Sequence, residues 1–297
     1  MINTMIDIEK VVRDIASYFK DKPNLDAAHL TICPLASGMK LFCYKNLFNN
    51  YFSALIPSRQ NDRGIFFHTL RLEYAKKALE TKEFRFYSLS SVQDKDYAEQ
   101  IECYRRYAPP YADFGLIKKS NENIFILCLS KDIRNEKMWE EYGNMDCGIS
   151  LGFRYEHKYH TDNPGMYDFR DVYYDSGYDL DFLNELQNHL YESTGQYINV
   201  DSISTFAKFY KRDKFRWENE TRICFERNPC NICGQKLFNF PFEIEHDENM
   251  RSFIRVPFEN DFFHMTLSEI ICGKNVSAQD YNILKNTYPN VCVWQRA

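Results

Sequence analysis

The stretch Lys211–Glu226 reads KRDKFRWENETRICFE, and the interpretation of the whole chain depends on it. A basic and aromatic block runs directly into Thr221–Phe225, whose apolar residues predict a short strand. If that strand already includes Glu218, alternation places Glu218, Glu220 and Arg222 on one face. The three groups then allow two interpretations: a structural ion pair, or a glutamate that acts on a substrate in a cleft.

Composition limits the classes of protein that the chain can belong to. Its 297 residues, 44% of them hydrophobic and 27% charged, suffice for one large domain or two small ones with a real core. A net charge of -5 argues against a general nucleic-acid binder but leaves a local basic groove open. Without an apolar run of membrane-spanning length or a signal-peptide pattern, the sequence predicts a cytoplasmic protein that does not contact a membrane.

The ten cysteines are expected to be reduced, because disulfide bonds are rare in the cytoplasm. Among them, Cys230 and Cys233 have the spacing of half a zinc site. A second pair at a suitable distance is missing, since Cys272 and Cys292 lie far apart and His246 and His264 lack the spacing of a zinc finger. We therefore predict a hairpin turn at this point and no bound metal.

A strand–helix–strand unit is predicted after the polar break near residue 60. Ile65–Thr69 forms the first strand, Leu70–Thr81 the helix and Phe84–Leu89 the second strand, so that His68 lies at the end of the first strand. Such a histidine is either a hydrogen-bonded structural group or part of a site. The continuous apolarity of Ile124–Ser130 predicts a fully buried strand.

Helical spacing places Met138, Trp139 and Tyr142 on one face of a short helix over Asn135–Gly143, which predicts that Trp139 is mostly buried. The further predicted elements are the strands Cys147–Phe153, Asp171–Tyr174, Ser252–Pro257, Leu267–Cys272 and Val291–Trp294 and the helices Ile6–Phe19, Asp179–Tyr191, Ser202–Tyr210 and Ser277–Lys285. Because strands outnumber crossover helices, we predict an α+β fold with a mixed, largely antiparallel sheet and flanking helices. This domain is expected to comprise residues 61–297 and to follow an N-terminal helical or irregular extension, residues 1–60.

Six blocks of the sequence follow one another in a recognisable order: Tyr87–Asp94, Leu127–Ser130, Met138–Tyr142, Cys147–Phe153, Lys214–Arg222 and Leu267–Gly273. In this order they resemble a bacterial family known as domain of unknown function 2971. The resemblance covers about Ile65 to Lys285, with Gln93-Asp94-Lys95 standing where the family usually has Asn-Asp-Pro.

A strand with His68-Thr69 is followed by a helix, a second strand with Tyr87-Ser88 and a late strand with the pattern Glu-x-Glu. This arrangement is similar to that of ADP-ribosyltransferases, including those that modify nucleic acid. This resemblance implies a toxin- or defence-type transferase that cleaves NAD and transfers ADP-ribose to a protein or nucleic-acid acceptor. It assigns Glu220 to stabilising the charge that develops on the ribose, Glu218 to activating the acceptor, and His68 to the NAD ribose. The implied NAD-binding residues are His68, Thr69, Tyr87, Ser90, Tyr142 and Arg222, with Tyr87 or Tyr142 stacking on nicotinamide.

Two alternatives stay open. The chain could be a non-catalytic sensor or interaction module in which Trp139, Tyr142 and Trp217 anchor a peptide or nucleic acid beside the charged block. It could also be a metal-dependent nuclease using Asp94, Glu99, Glu218 and Glu220, provided that these carboxylates converge.

Overall fold

The computed structural model describes residues 7–18, 30–34, 40–44, 52, 54–91, 95–107, 121–158, 166–176, 180–199, 206–227 and 240–297. The helices are α1 (Ile8–Ser17), α2 (Leu72–Thr81), α3 (Lys95–Tyr107), α4 (Glu136–Glu141), α5 (Asp181–Thr194), α6 (Ala278–Thr287) and a 3₁₀ helix (Asp213–Glu218). The strands are β1 (Leu30–Pro34), β2 (Lys40–Tyr44), β3 (Ile65–Leu70), β4 (Glu83–Ser88), β5 (Ile124–Ser130), β6 (Ile149–His157), β7 (Tyr167–Asp171), β8 (Tyr173–Asp175), β9 (Tyr197–Asn199), β10 (Tyr210–Arg212), β11 (Glu220–Glu226), β12 (Ile244–His246), β13 (Ser252–Pro257), β14 (Phe263–Cys272) and β15 (Cys292–Gln295).

The chain divides into two compact units. The first unit consists of residues 1–57, 98–114 and 173–213, and the second of residues 58–97, 115–172 and 214–297. One boundary therefore falls near residue 60, where the sequence has its polar break, but the first unit also takes in two later segments. Among the helices that the structure describes, none is both long and apolar enough to cross a membrane.

In its described residues, the first unit contains two small sheets. In one, β2 pairs antiparallel with β1 and parallel with β9. In the other, β8 and β10 pair in parallel. The buried carboxylate of Asp175 on β8 accepts hydrogen bonds from Arg106 Nη1 (3.0 Å), Tyr107 (2.7 Å) and Tyr210 (2.7 Å), and so ties α3 to β8 and β10. Loss of contact with water raises the pKa of Tyr107 and of Tyr210 far above the usual range, so both phenols stay protonated as donors.

The second unit is built on a ten-stranded sheet in the described part of the chain, in which β5 has three partners. The strand β11 pairs with β5 along its whole length. Because β11 occupies one edge of β5, both β4 and β3 pair with the opposite edge. There β4 pairs with Phe125 and Ile126 of β5, and β3 pairs with Ser130 of β5 alone. Strands β3 and β4 therefore diverge from each other along β5.

Rings from strands that do not pair with each other form an aromatic core on one side of the sheet. Phe84 of β4 lies 5.0 Å from Phe153 of β6, Tyr155 of β6 lies 4.4 Å from Phe169 of β7, and Phe225 of β11 lies 6.3 Å from Phe263 of β14, all measured between ring centroids. Burial of these rings, together with the aliphatic side chains packed among them, stabilises the fold of this unit. Side-chain alternation gives each strand an inward face toward this core and an outward face.

The predicted fold class is confirmed, since helices flank a mixed sheet whose strand pairs are mostly antiparallel. The strands Ile124–Ser130 and Ser252–Pro257 have the predicted bounds, and Trp139 is fully buried. Tyr142 does not share that burial and is 39% exposed, because α4 ends one residue before it.

Two predicted elements are wrong. The single strand over Asp171–Tyr174 is in fact two strands, with β7 ending at Asp171 and β8 beginning at Tyr173. The predicted helix up to Tyr210 stops earlier, because Tyr210 already belongs to β10. Cys230 and Cys233 lie outside the described residues, as do Gln93 and Asp94.

Candidate functional site

Glu218 and Glu220 do not share a strand. The 3₁₀ helix ends at Glu218, Asn219 takes a φ of 42°, and β11 begins only at Glu220. Donors from the β5–α4 connection fix this turn: Asn135 Nδ2 donates to the carbonyl of Trp217 (2.6 Å) and Ser130 Oγ to that of Glu218 (2.9 Å). The expected common face of the two carboxylates is therefore wrong.

Arg222 holds Glu220, not Glu218. Its Nε donates to Glu220 Oε1 at 2.7 Å, its Nη2 lies 3.4 Å from Oε2, and both side chains are buried on the outward face of β11. Of the two interpretations of this block, Glu220 and Arg222 therefore form the ion pair. A buried carboxylate pairs with the nearest guanidinium. Glu220 and Arg222 are two residues apart on β11, which is the shortest spacing of two side chains on the same face of a strand.

Glu218 lies beside a pair of aromatic rings. Its buried carboxylate accepts a 2.8 Å hydrogen bond from the hydroxyl of Tyr142. The ring of Tyr142 is nearly parallel to that of Trp217, with 6.3 Å between the centroids and 26° between the planes. The ammonium group of Lys137 lies 4.4 Å from the centroid of the Trp217 ring. The indole Nε1 of Trp217 is inaccessible to water and has no hydrogen-bond partner in the described part of the chain.

This arrangement, formed by Lys137, Tyr142, Trp217 and Glu218, is called the ring platform below. A carboxylate next to electron-rich ring faces favours a planar or compact group with positive charge, and Lys137 shows that the Trp217 ring accepts a cation.

His68 lies away from both glutamates. Ser130 of β5 lies directly between Phe67 of β3 and Glu220 of β11, and the three side chains point outward. Because side chains alternate along a strand, His68, which follows Phe67, points inward. Its Nδ1 donates to the carbonyl of Cys128 (2.9 Å), in the gap where β3 and β4 diverge, and its ring meets Phe84 edge-on at 5.6 Å. Removal from water lowers the pKa of His68 to about 4, so the ring is neutral near pH 7.

Among the remaining predicted NAD-binding residues, Thr69 and Tyr87 point outward, and Ser90 follows the end of β4. Thr69 donates to Ser150 Oγ (3.1 Å), and Ser90 bonds to Ser88 at the end of β4 (3.0 Å). Tyr87 lies opposite Ile126, four residues from Ser130 and therefore about 13 Å along the strands from the level of Glu220. The guanidinium of Arg251 lies 4.8 Å from its ring centroid.

Of the predicted site residues, the structure thus joins Tyr142 to Glu218 and Arg222 to Glu220, and keeps His68, Tyr87 and Ser90 apart from them. Sequence reasoning missed Lys137 and Asn135, because no local pattern shows that α4 meets the 3₁₀ helix. The sequence suggests Trp217 only as an anchor for a peptide or nucleic acid. Its position directly before Glu218 is the signal that could have placed it in the same site as that carboxylate.

Within the residues that the structure describes, no three His, Cys, Asp or Glu side chains lie together as ligands for a metal ion. Of the carboxylates considered for a nuclease, Asp94 is outside the described residues, and Glu99 is occupied by Arg212, whose Nε lies 2.9 Å from both of its oxygens. Glu99 and Arg212 both belong to the first unit.

Comparison with known proteins gives one match. Neither the curated proteins nor the solved structures contain a chain that matches this one. A family model does match, and its span begins at Met138 on α4 and ends at Ile223 on β11, so that it encloses Tyr142, Trp217, Glu218, Glu220 and Arg222. Residues 138–223 of the chain are similar to the family described as "Protein of unknown function (DUF2971)".

Proposed function

We propose that the second unit binds NAD at the ring platform and cleaves its bond between ribose and nicotinamide, transferring ADP-ribose to an acceptor. The observation that carries this proposal is the buried carboxylate of Glu218, held by Tyr142 directly beside the ring of Trp217. The nicotinamide ring of NAD is planar and positively charged, and such a ring is stabilised on tyrosine and tryptophan faces.

Cleavage of the glycosidic bond moves positive charge from the nicotinamide ring to the ribose. A fixed, ionised carboxylate stabilises that charge, and the bonding electron pair leaves with the neutral nicotinamide. In this proposal Glu218 takes the role that the family resemblance gave to Glu220, because Glu220 is committed to Arg222. Lys137 is exposed and moves off the Trp217 ring to admit the ligand.

The test is release of nicotinamide from NAD by the purified protein, followed by chromatography. Glu218→Gln is expected to lower the rate about 100- to 1000-fold, the usual effect of losing one electrostatic stabiliser. Trp217→Leu is expected to raise KM with a smaller effect on kcat, since it removes a ring that binds ground state and transition state alike. Glu140→Gln, an exposed carboxylate on α4, is the matched control and is expected to behave as wild type. Absence of nicotinamide release, or a Glu218→Gln protein as active as wild type, would refute the proposal.

The second candidate is a non-catalytic recognition module, and a different observation favours it. Lysine side chains lie over two neighbouring aromatic rings: Lys137 over Trp217 at 4.4 Å and Lys214 over Phe215 at 4.8 Å. Trp139 does not take part as an anchor, because it is fully buried. In this second proposal, the surface formed by these lysines and rings binds a partner without cleaving NAD.

A further inference from the structure

The ammonium group of Lys137 occupies the place on the Trp217 ring that a cationic ligand would take, 4.4 Å from the ring centroid. The backbone holds it there through Asn135. This side chain accepts the N–H of Lys137 at Oδ1 (3.0 Å) and donates from Nδ2 to the carbonyl of Trp217 (2.6 Å). The base of the lysine is thus fixed next to the residue that carries the ring. Lys137 is exposed, and its flexible side chain can leave the ring toward water.

Nearby carboxylates do not account for the position of this ammonium group. Glu140 and Glu141 follow Lys137 by three and four residues on α4, which is the spacing at which helical side chains meet. Lys137 nevertheless forms no ion pair in the described part of the chain, and its ammonium group lies over the Trp217 ring. Exposed ion pairs contribute little, and tryptophan is the aromatic residue that binds a cation best. The face of Trp217 is therefore an effective cation site.

The charges around this ring favour a cation as its ligand. In formal charge, α4 and the 3₁₀ helix together carry five carboxylates and three cations. The carboxylates are those of Glu136, Glu140, Glu141, Asp213 and Glu218, and the cations are Lys137, Lys214 and Arg216. An excess of negative charge beside an aromatic face attracts a flat cation and disfavours a polyanion such as a nucleic acid.

We propose that Lys137 is a gate of the ring platform, whose ammonium group covers the Trp217 face until a planar aromatic cation displaces it. The inference rests on the proposed function, because the cation is the nicotinamide ring of NAD, and it adds a means of regulating that same site. A ligand that must displace the lysine binds with an affinity reduced by the fraction of molecules in which the ring is uncovered. Removal of the lysine therefore strengthens binding.

The experiment is fluorine NMR of the full chain labelled with fluorotryptophan, in which the three tryptophans give separate signals. Trp217→Phe assigns the signal of Trp217. The ligands are neutral nicotinamide and N-methylnicotinamide, the cation that is methylated on its ring nitrogen and has no ribose. N-methylnicotinamide is expected to shift the Trp217 signal of wild type. Lys137→Gln is expected to shift that signal without a ligand and to bind both ligands about three- to tenfold more tightly.

Arg134→Gln is the matched control, because Arg134 is an exposed cation three residues before Lys137 that has no ring contact in the part of the chain that the structure describes. It is expected to bind both ligands as wild type does. Thermal melting of every variant shows whether it is folded.

The proposal is overturned if N-methylnicotinamide shifts the Trp217 signal of neither protein, if Lys137→Gln binds no more tightly than wild type, or if Arg134→Gln gains as much. A gain for the cationic ligand alone also overturns it, because repulsion between like charges then explains the result. Nicotinamide release from NAD is measured separately. Release with an unchanged affinity of Lys137→Gln removes the gate alone, and a working gate without release removes the proposed catalysis alone.

Discussion

The hydroxyl group of Tyr142 donates a 2.8 Å hydrogen bond to the carboxylate of Glu218, which lies 76 residues further along the chain. This bond joins the turn after α4 to the end of the 3₁₀ helix. Tyr142→Phe is expected to destabilise the protein by about 1.5 to 3 kcal/mol, because a buried carboxylate loses a donor. Urea denaturation measures the change. Tyr74→Phe, at a tyrosine that is 47% exposed, is the control and is expected to cost less than about 0.5 kcal/mol.

A second prediction concerns the stability that the ion pair of Glu220 and Arg222 gives to the fold. Arg222→Ala is expected to cost about 3 to 5 kcal/mol, because it leaves a buried carboxylate without its guanidinium. Arg154→Ala removes an exposed arginine from the same sheet and is expected to change stability by less than about 0.5 kcal/mol. If both variants unfold at the same denaturant concentration, the pair does not stabilise the fold as argued.

Trp139 anchors α4. Its ring is fully buried, its Nε1 donates to the carbonyl of Ile133 (2.8 Å), and the guanidinium of Arg296 lies 4.7 Å from the ring centroid. Trp139→Ala is therefore expected to cost about 3 to 5 kcal/mol through the cavity that it leaves. Trp294→Ala, at a tryptophan that is 36% exposed, serves as the control. An unchanged denaturation midpoint for Trp139→Ala would contradict this prediction.

Because of buried His68, we expect the stability of the folded protein to depend on pH. Its pKa in the folded protein is lowered to about 4, against 6.5 for an ordinary histidine, so the unfolded chain takes up a proton at a higher pH than the folded protein does. The stability that neutral His68 contributes is complete above about pH 6.5 and is lost as the pH falls toward 4, by up to about 3 kcal/mol.

Denaturation at pH 4.5, 5.5 and 7 measures this loss. His68→Asn keeps an N–H donor near the position of Nδ1 but does not titrate, so its stability is expected to fall less over the same range. The prediction fails if wild type and His68→Asn lose stability equally between pH 7 and 4.5.

Gly273 is expected to be intolerant of any side chain. A Cβ atom there would lie 2.1 Å from the carbonyl oxygen of Asp146, which already accepts the N–H of Asn275 at 3.0 Å and is thereby fixed. Gly273→Ala should cost about 2 to 4 kcal/mol by overpacking. Gly195→Ala tests the effect of backbone conformation alone, because Gly195 has a φ of 67° but open space around it. This substitution should cost only about 1 kcal/mol of stability. Equal costs at the two positions would contradict the steric argument.

Much of the fold can be predicted from local patterns. The unbroken apolarity of Ile124–Ser130 identifies a strand that is buried along its length, and Ser277, predicted as a helix start, caps α6 by accepting the N–H of Asp280 (3.0 Å). Such features depend on residues within one element, so the sequence contains them. The division of Asp171–Tyr174 between two strands could not be predicted, because the partners of β7 and β8 are remote in sequence.

The sequence by itself determined that the chain is an α+β protein with a buried Trp139 and a charged, aromatic block before β11. Only the tertiary structure decided how the side chains of that block are arranged. The start of β11 depends on donors from the β5–α4 connection, which place Glu218 in a turn and leave Glu220 to Arg222. Alternation along β3 puts His68 inward, and the meeting of α4 with the 3₁₀ helix brings Tyr142 to Glu218. Contacts between residues so distant in sequence follow from packing of the whole unit, and no local propensity encodes them.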